Sequence, residues 1–246
     1  QVFDSSGKFL RSWGRCGEGQ GEFRKPIDVA VDARGRVYVA DFMLDRVQGF
    51  DTQGKFLRAW GQAGERPGEF SSPVGVAVDG DGIVYVSEFY NHRVQKFSSD
   101  GQLLAHWGGD GSAEGQLHYP GKLTLARDGT VYVADTHNSR IQKFTPEGEF
   151  VAAWGSPGTW QAQFQDPFDV VVDADGAMHV ADSDNRRVQW LSAEGEFLAE
   201  WALPEQEGPK FQSPAALEQD ARGFLYVSDI ANNRIYKLEA VKGRSP

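Results

Sequence analysis

The residues of this 246-residue chain that could do chemistry are five histidines, a spaced pair of aspartates and a set of aromatic side chains. Phe42-Met43-Leu44, Phe89-Tyr90-Asn91-His92 and Thr136-His137 occur in short stretches between apolar runs, and His118-Tyr119 directly precede a proline. Phe42, Met43, Phe89, Tyr90 and Tyr119 stand where solvent-facing polar residues are the usual choice. They therefore mark a surface for a partner or ligand, with His92, His118, His137 and Lys122 as its polar members. The competing reading is that the rings fold inward and cap the elements beneath them. Asp28, Lys122 and Asp169 share a second pattern, each lying two residues after a proline. Two carboxylates flanking an ammonium could grip an ion or a polar ligand; they could equally hydrate a channel or bond to loop backbone. Cys16, in RCGEGQG, has no base nearby in sequence and reads as a bystander, and it leaves no partner for an intrachain disulfide. No Ser-centred nucleophile elbow, Gly-rich phosphate loop or Cys-His pairing is visible.

What positions these residues is a repeat. VYVADFMLDRVQGF, VYVSEFYNHRVQKF, VYVADTHNSRIQKF, MHVADSDNRRVQWL and LYVSDIANNRIYKL begin at 37, 84, 131, 178 and 225, a constant step of 47. In register from a proline, the units open as PIDVAVD (26), PVGVAVD (73), PGKLTLA (120), PFDVVVD (167) and PAALEQD (214). Each runs on through a second apolar segment, an RVQKF-like segment and a GKFLRAW-like segment to a Gly-rich loop. Turns such as DARGR, DGDGI and DTQGK join the segments, with glycine supplying the positive φ of tight hairpins. A proline opening a strand loses no ladder donor. Helical periodicity is absent, so the chain is all-β, and four antiparallel strands repeated around an axis make the blades of a propeller.

The Pro-x-x-V-A-V-D, V-Y-V-A-D, N-x-R-I-Q-K-F and F-L-x-x-W-G elements resemble NHL repeats over essentially the whole chain. Where the family places its Asn stand Leu44, Asn91, Asn138, Asn185 and Asn232, so the first unit departs. Members of that family are commonly six-bladed; the arithmetic here gives five blades in one domain, 1–246. The unit from 214 stops after a third strand, and the segment 7–13 (GKFLRSW) supplies the missing type. Pairing the two would close the ring, and a closed five-blade ring predicts a monomer. Two repeating series read as structural. Arg46, Arg93, Arg140, Arg187 and Arg234 follow Asp41, Glu88, Asp135, Asp182 and Asp229 as ion pairs tying one blade to the next. Trp13, Trp60, Trp107, Trp154 and Trp201, on the outer strand, pack between blades. Tyr38, Tyr85, Tyr132 and Tyr226 read as core. Uniform Gly turns occupy one face of such a fold. The loops that vary share the other, which is where a site belongs, at the channel mouth.

The resemblance also raises catalysis, because some NHL-type propellers are metal-dependent lyases using His from several blades. Ligands from different blades converge only from equivalent positions. His92, His137 and His179 lie 19, 17 and 12 residues after their prolines, His118 lies before its own, and His106 is on an outer strand. That distribution argues against a His-held metal, and no cofactor is expected beyond a channel ion at Asp28 and Asp169. Other family members bind RNA on a basic face. Arg24, Lys25 and Lys122, with Phe89, Tyr90 and Tyr119 to stack, sit among Asp28, Asp45, Asp166, Asp169 and Asp184, and the net charge is −10; both oppose nucleic acid. No apolar run reaches the length of a membrane span, and nothing in the sequence fixes a compartment. The expectation is noncovalent binding of a protein, peptide or small polar ligand on the variable face, with a lyase or hydrolase using the channel carboxylates as the alternative.

Overall fold

The computed structural model describes residues 1–201 and 211–239. Apart from one 3-10 turn at Thr136–Asn138, every regular element among them is a strand. The chain opens with an antiparallel hairpin of β1 (Val2–Phe3) and β2 (Phe9–Arg11), then a short parallel pair, β3 (Arg15–Cys16) and β4 (Glu22–Phe23). The first blade is β5 (Pro26–Val31), β6 (Val37–Asp41), β7 (Arg46–Phe50) and β8 (Phe56–Trp60). The second is β9 (Pro73–Val78), β10 (Val84–Glu88), β11 (Arg93–Phe97) and β12 (Leu103–Gly108). The third is β13 (Leu123–Leu125), β14 (Val131–Asp135), β15 (Arg140–Phe144) and β16 (Phe150–Trp154). The fourth is β17 (Pro167–Val172), β18 (Met178–Asp182), β19 (Arg187–Leu191) and β20 (Phe197–Trp201), and the fifth β21 (Pro214–Gln219), β22 (Leu225–Asp229) and β23 (Arg234–Leu238). Each blade pairs its strands antiparallel in chain order. The fold is the expected all-β propeller of five blades.

The chain forms two compact units, Gln1–His106 and Trp107–Pro246. Among the described residues the fifth blade has three strands. The segment 7–13, expected beside it, contributes β2, which pairs with β1 through Val2↔Arg11 and Phe3↔Phe9. That register repeats Gly49↔Arg58 and Phe50↔Phe56 of the first blade, a step of 47 earlier.

Alternation within the strands builds the core. Second strands are rich in β-branched and aromatic residues and are buried throughout in the first four blades, as residues that fill a pleated, covered surface should be. Outer strands alternate half-buried and exposed residues, the pattern of a sheet edge wet on one side. Neighbouring blades lock through the outer-strand tryptophans. Trp13 lies against Gly54, and Trp60 against Gly101, so closely that an added Cβ would meet the indole at 2.5 and 2.8 Å. Both glycines have positive φ, so the turn that needs glycine for its backbone also supplies the flat seat for a ring. The same contact joins Trp107 to Gly148 and Trp154 to Gly195. The tryptophans pack between blades, as their spacing predicts.

Candidate functional site

In every blade the loop from the preceding outer strand runs beside the turn between second and third strands. Backbone bonds fix the approach: Phe42 N to Lys25 O (2.9 Å), Phe89 N to Ser72 O (3.1 Å), His137 N to His118 O (3.1 Å), Asp184 N to Gln165 O (3.2 Å) and Ile230 N to Ser213 O (3.0 Å). A residue one or two before each proline is thereby set against its own blade's turn. The turns end in a left-handed residue, at Asp45, His92, Ser139, Arg186 and Asn233; Asp, Asn and His accept that conformation more readily than most.

A buried polar quartet holds this arrangement from below. In the second blade Glu88 accepts from Arg93 Nε (2.6 Å), Gln95 Nε2 (2.8 Å), Asn91 Nδ2 (2.6 Å) and Ser71 N (3.0 Å). Burial pushes its carboxyl up, and these donors work against that shift. The rest of the Arg93 guanidinium donates to the carbonyls of Glu65, Arg66 and Glu69 in the loop entering the same blade. Gln95 spans that loop too, accepting from Gly68 N (2.8 Å) and donating to Glu69 O (2.8 Å). Asp135, Asn138, Arg140 and Gln142 repeat the quartet in the third blade, and Asp182, Asn185, Arg187 and Gln189 in the fourth. Arg93, Arg140 and Arg187 pair with their acids, as expected, but what they also grip is the incoming loop; Arg46 departs, donating to the carbonyls of Glu18, Gly19 and Glu22 while its Nε has no hydrogen-bond partner. The buried glutamines, Gln48, Gln95, Gln142 and Gln189 in the first four units with Tyr236 in their place in the fifth, share the clamp with the arginines. A polar residue in the middle of an otherwise apolar third strand was the available signal.

On these supports the predicted residues form two clusters. In the first unit Lys25 Nζ lies 4.4 Å from the centre of the Phe42 ring, and Phe89 meets Tyr90 edge to face at 5.1 Å. Met43 and Tyr90 are exposed and Phe42 and Phe89 half-buried. His92 ends the second turn at φ 52. In the second unit His118, Tyr119 and His137 come together: Tyr119 to His137 at 4.7 Å, His118 to Tyr119 at 4.8 Å and His118 to His137 at 5.7 Å. Asp135 Oδ1 accepts from the His118 backbone (2.7 Å), and His118 Nδ1 lies 2.7 Å from Asp110 Oδ1. Burial pushes the Asp166 carboxyl up; nearby His137 opposes this and Asp184 adds to it. The second cluster is thus three rings edged by carboxylates.

The residues two after each proline do something else. Asp28 Oδ2 accepts from Val76 N (2.8 Å), 48 residues on in the next inner strand. Asp169 repeats the bond to Leu217 N (2.8 Å), while its other oxygen accepts from Val170 N (2.7 Å). Both carboxylates act as latches between successive inner strands. Lys122 is buried, its N–H donating to Phe168 O (2.8 Å). Gly121 permits that approach, since a Cβ there would stand 2.4 Å from the same oxygen. A metal held at equivalent inner positions would have Asp28, Gly75, Lys122, Asp169 and Ala216 to draw on: two carboxylates engaged with backbone, one lysine and two residues with no side-chain donor atom. That set does not fit a metal centre of the lyase kind. His179, the remaining odd histidine, is in the core, stacked on Trp190 at 5.4 Å.

No curated protein matches the chain. The family model for the NHL repeat matches residues 70–97 and 117–144, which span the second and third blades' clamps. Among solved structures, a catalytically inactive virginiamycin B lyase from Staphylococcus aureus with quinupristin is similar over 98% of this chain and 77% of its own, at 17% identity and a TM-score of 0.66. A streptogramin B lyase is similar over 87% and 68%, at 17% identity and a TM-score of 0.62. A nidogen/laminin complex matches over 87% and 75%, at 18% identity and a TM-score of 0.64. At such identities the likeness concerns the fold. With the 47-residue repeat and the acid–Asn–Arg–Gln clamp, the chain is a five-bladed β-propeller that carries NHL repeats at residues 70–97 and 117–144.

Proposed function

We propose that the protein is a noncovalent binding module, acting as a monomer, that presents the variable-face turns to a protein or peptide segment. The observation that carries this reading is the His118–Tyr119–His137 cluster, whose three rings are held by backbone bonds and by Asp135 beneath them. Rings fixed before a partner arrives lose little conformational entropy when it binds. The carboxylates of Asp110, Asp166 and Asp184 at this cluster's edge suit a partner segment carrying a Lys or Arg beside an apolar residue. Phe42, Met43, Phe89 and Tyr90 offer a second, more apolar contact of the same kind in the first unit. The reading calls for no metal or cofactor. The lyase or hydrolase alternative relied on Asp28 and Asp169, and their bonds to Val76, Leu217 and Val170 favour a structural role.

Selection of peptides displayed on phage against the immobilised protein tests the proposal. Enriched sequences should share a basic residue next to an apolar one, and Tyr119→Ala and His137→Ala should each weaken their binding at least tenfold. Absence of enrichment, or enriched peptides indifferent to both substitutions, would refute it.

A further inference from the structure

Each of the first four blades ends in an outer strand, and one of these edges lacks the protection the others carry. β16 closes the third blade's sheet, with β15 as its one strand partner among the described residues. Its sequence is FVAAW, without a charge, whereas β8 carries Arg58, β12 His106 and β20 Glu200. Charged side chains are a usual means of keeping an exposed edge from pairing with another chain. Val151 is 48% exposed, Ala153 is exposed and Ala152 is half-buried.

Position 152 shows what is missing. In steps of 47 the series reads Arg11, Arg58, Ala105, Ala152 and Ala199. Arg11 Nη2 donates to Thr52 O (2.6 Å), and Arg58 Nη1 donates to Ser99 O (3.2 Å) and to the Asp100 carboxylate. In both, an outer-strand guanidinium reaches the next blade's turn between third and fourth strands. Beside β16 the equivalent turn is 192–196, where Gly195 seats Trp154; Ala193 and Glu194 stand there in place of Ser99 and Asp100. Ala152 brings no donor to it. Among the described residues no cation pairs with Glu194, whose carboxylate accepts from Ser192 Oγ (3.0 Å). Lys143, opposite Ala152 in register, is directed onto the Tyr132 ring, 5.1 Å from its centre. Glu147 and Glu149, exposed in the turn leading into β16, place negative charge at the strand's other end.

We infer that the edge of β16 is a strand-addition site for an extended, arginine-bearing segment of a partner protein. Backbone bonds to β16 supply the pairing. Apolar residues on one side of the added strand cover Val151 and Ala153. An arginine on the other side reaches over Ala152 to Ala193 O and Glu194, making the joint that β2 and β8 make for themselves. A second copy of this chain is a poorer occupant. Pairing β16 with β16 would bring two sets of Glu147, Glu149 and Glu194 together in a protein of net charge −10, and like charges resist such association.

The test titrates the acetylated and amidated peptide TVRVRVRVT into the whole protein in about 0.15 M salt, which screens long-range attraction. Binding is read by calorimetry and by hydrogen exchange. Saturable one-to-one binding is expected, with slowed exchange within residues 150–154. TVRPRPRVT keeps the charge but cannot pair as a strand, and TVEVEVEVT carries the wrong charge; neither should bind measurably. Ala152→Arg installs the residue type found at 11 and 58, which that fold position accommodates, and should weaken binding at least tenfold. Glu194→Gln should weaken it about threefold or more. Leu57→Lys, at the first blade's counterpart of Val151, should leave it unchanged. No saturable binding, equal binding of TVRPRPRVT, full binding by Ala152→Arg or equal loss in Leu57→Lys overturns the proposal. So does self-association of the protein that Ala152→Arg abolishes without any peptide binding, which would assign the edge to a second copy.

Discussion

Replacing His179 by tyrosine should remove a pH dependence built into the fourth blade. Tyrosine occupies this position in the other four units. The imidazole is buried between Trp190, at 5.4 Å and nearly parallel, and Trp201, and its Nδ1 has no hydrogen-bond partner. Desolvation lowers its pKa from 6.5 to about 4, with Asp173 opposing weakly. Above pH 6.5 the imidazole is neutral in folded and unfolded chains alike, and protonation costs nothing. As pH falls below 6.5 the unfolded chain takes up the proton first, so stability is lost progressively until about pH 4, where the folded protein is protonated too. The full span, about 2.5 pKa units at 1.36 kcal/mol each, is about 3 kcal/mol; at pH 5 about 2 kcal/mol of it has been lost. In a chain of this size that lowers the melting temperature by about 4–8 °C. Thermal unfolding at pH 8 and pH 5, by circular dichroism, should show wild type losing that much more than His179→Tyr. The buried Glu88 and Asp182, whose carboxyls are pushed up by burial, titrate in both proteins and cancel in the difference. His179→Phe, which adds no hydroxyl, should match the tyrosine variant. If all three proteins lose equal stability between pH 8 and pH 5, the desolvation argument is wrong.

Gly101→Ala forces a side chain into positive φ and against the Trp60 ring; it should destabilise by about 2–4 kcal/mol in urea titration, against about 1–2 kcal/mol for Gly68→Ala, which meets the same backbone demand with open space around it. Gln95→Ala leaves Gly68 N without its partner and Glu69 O with Arg93 alone, and should cost about 1–3 kcal/mol, with faster hydrogen exchange at Gly68 reporting the freed loop. Asp28→Asn keeps an acceptor for Val76 N and should cost less than about 1 kcal/mol, whereas Asp28→Ala should cost about 1–3 kcal/mol. The reverse order of those two variants would mean that the charge, and with it an ion or ligand, matters more than the latch.

The architecture was legible because it is written five times: the step of 47 residues fixes strand order, turn positions and the packing tryptophans at once. The candidate site was harder. His118 and His137 look unrelated in sequence, one before a proline and the other 17 residues after it, and they meet because the incoming loop lies along its own blade's turn. That adjacency holds in every blade, so the rule could have been drawn from the repeat, but only with the bond from turn N–H to the carbonyl one or two residues before the proline in hand. Asp28 and Asp169 were ambiguous for the opposite reason. A periodic carboxylate suggests a ligand, and side-chain type alone does not separate a ligand grip from an acceptor for a backbone N–H 48 residues away. Thr136 and Ser183 gave no signal, yet their hydroxyls bond to the carbonyls of Pro167 and Pro214 in the following blades (2.8 and 2.6 Å).

The clamps reach back 24 to 28 residues and the latches forward 31 or 48, so none of them depends on a residue more than about one repeat away. Such a polymer of near neighbours can gain or lose a whole 47-residue module by gene duplication or deletion without rewiring the joints that remain. Its stability should grow by roughly equal increments per module, and folding can start in any one of them and spread to the next.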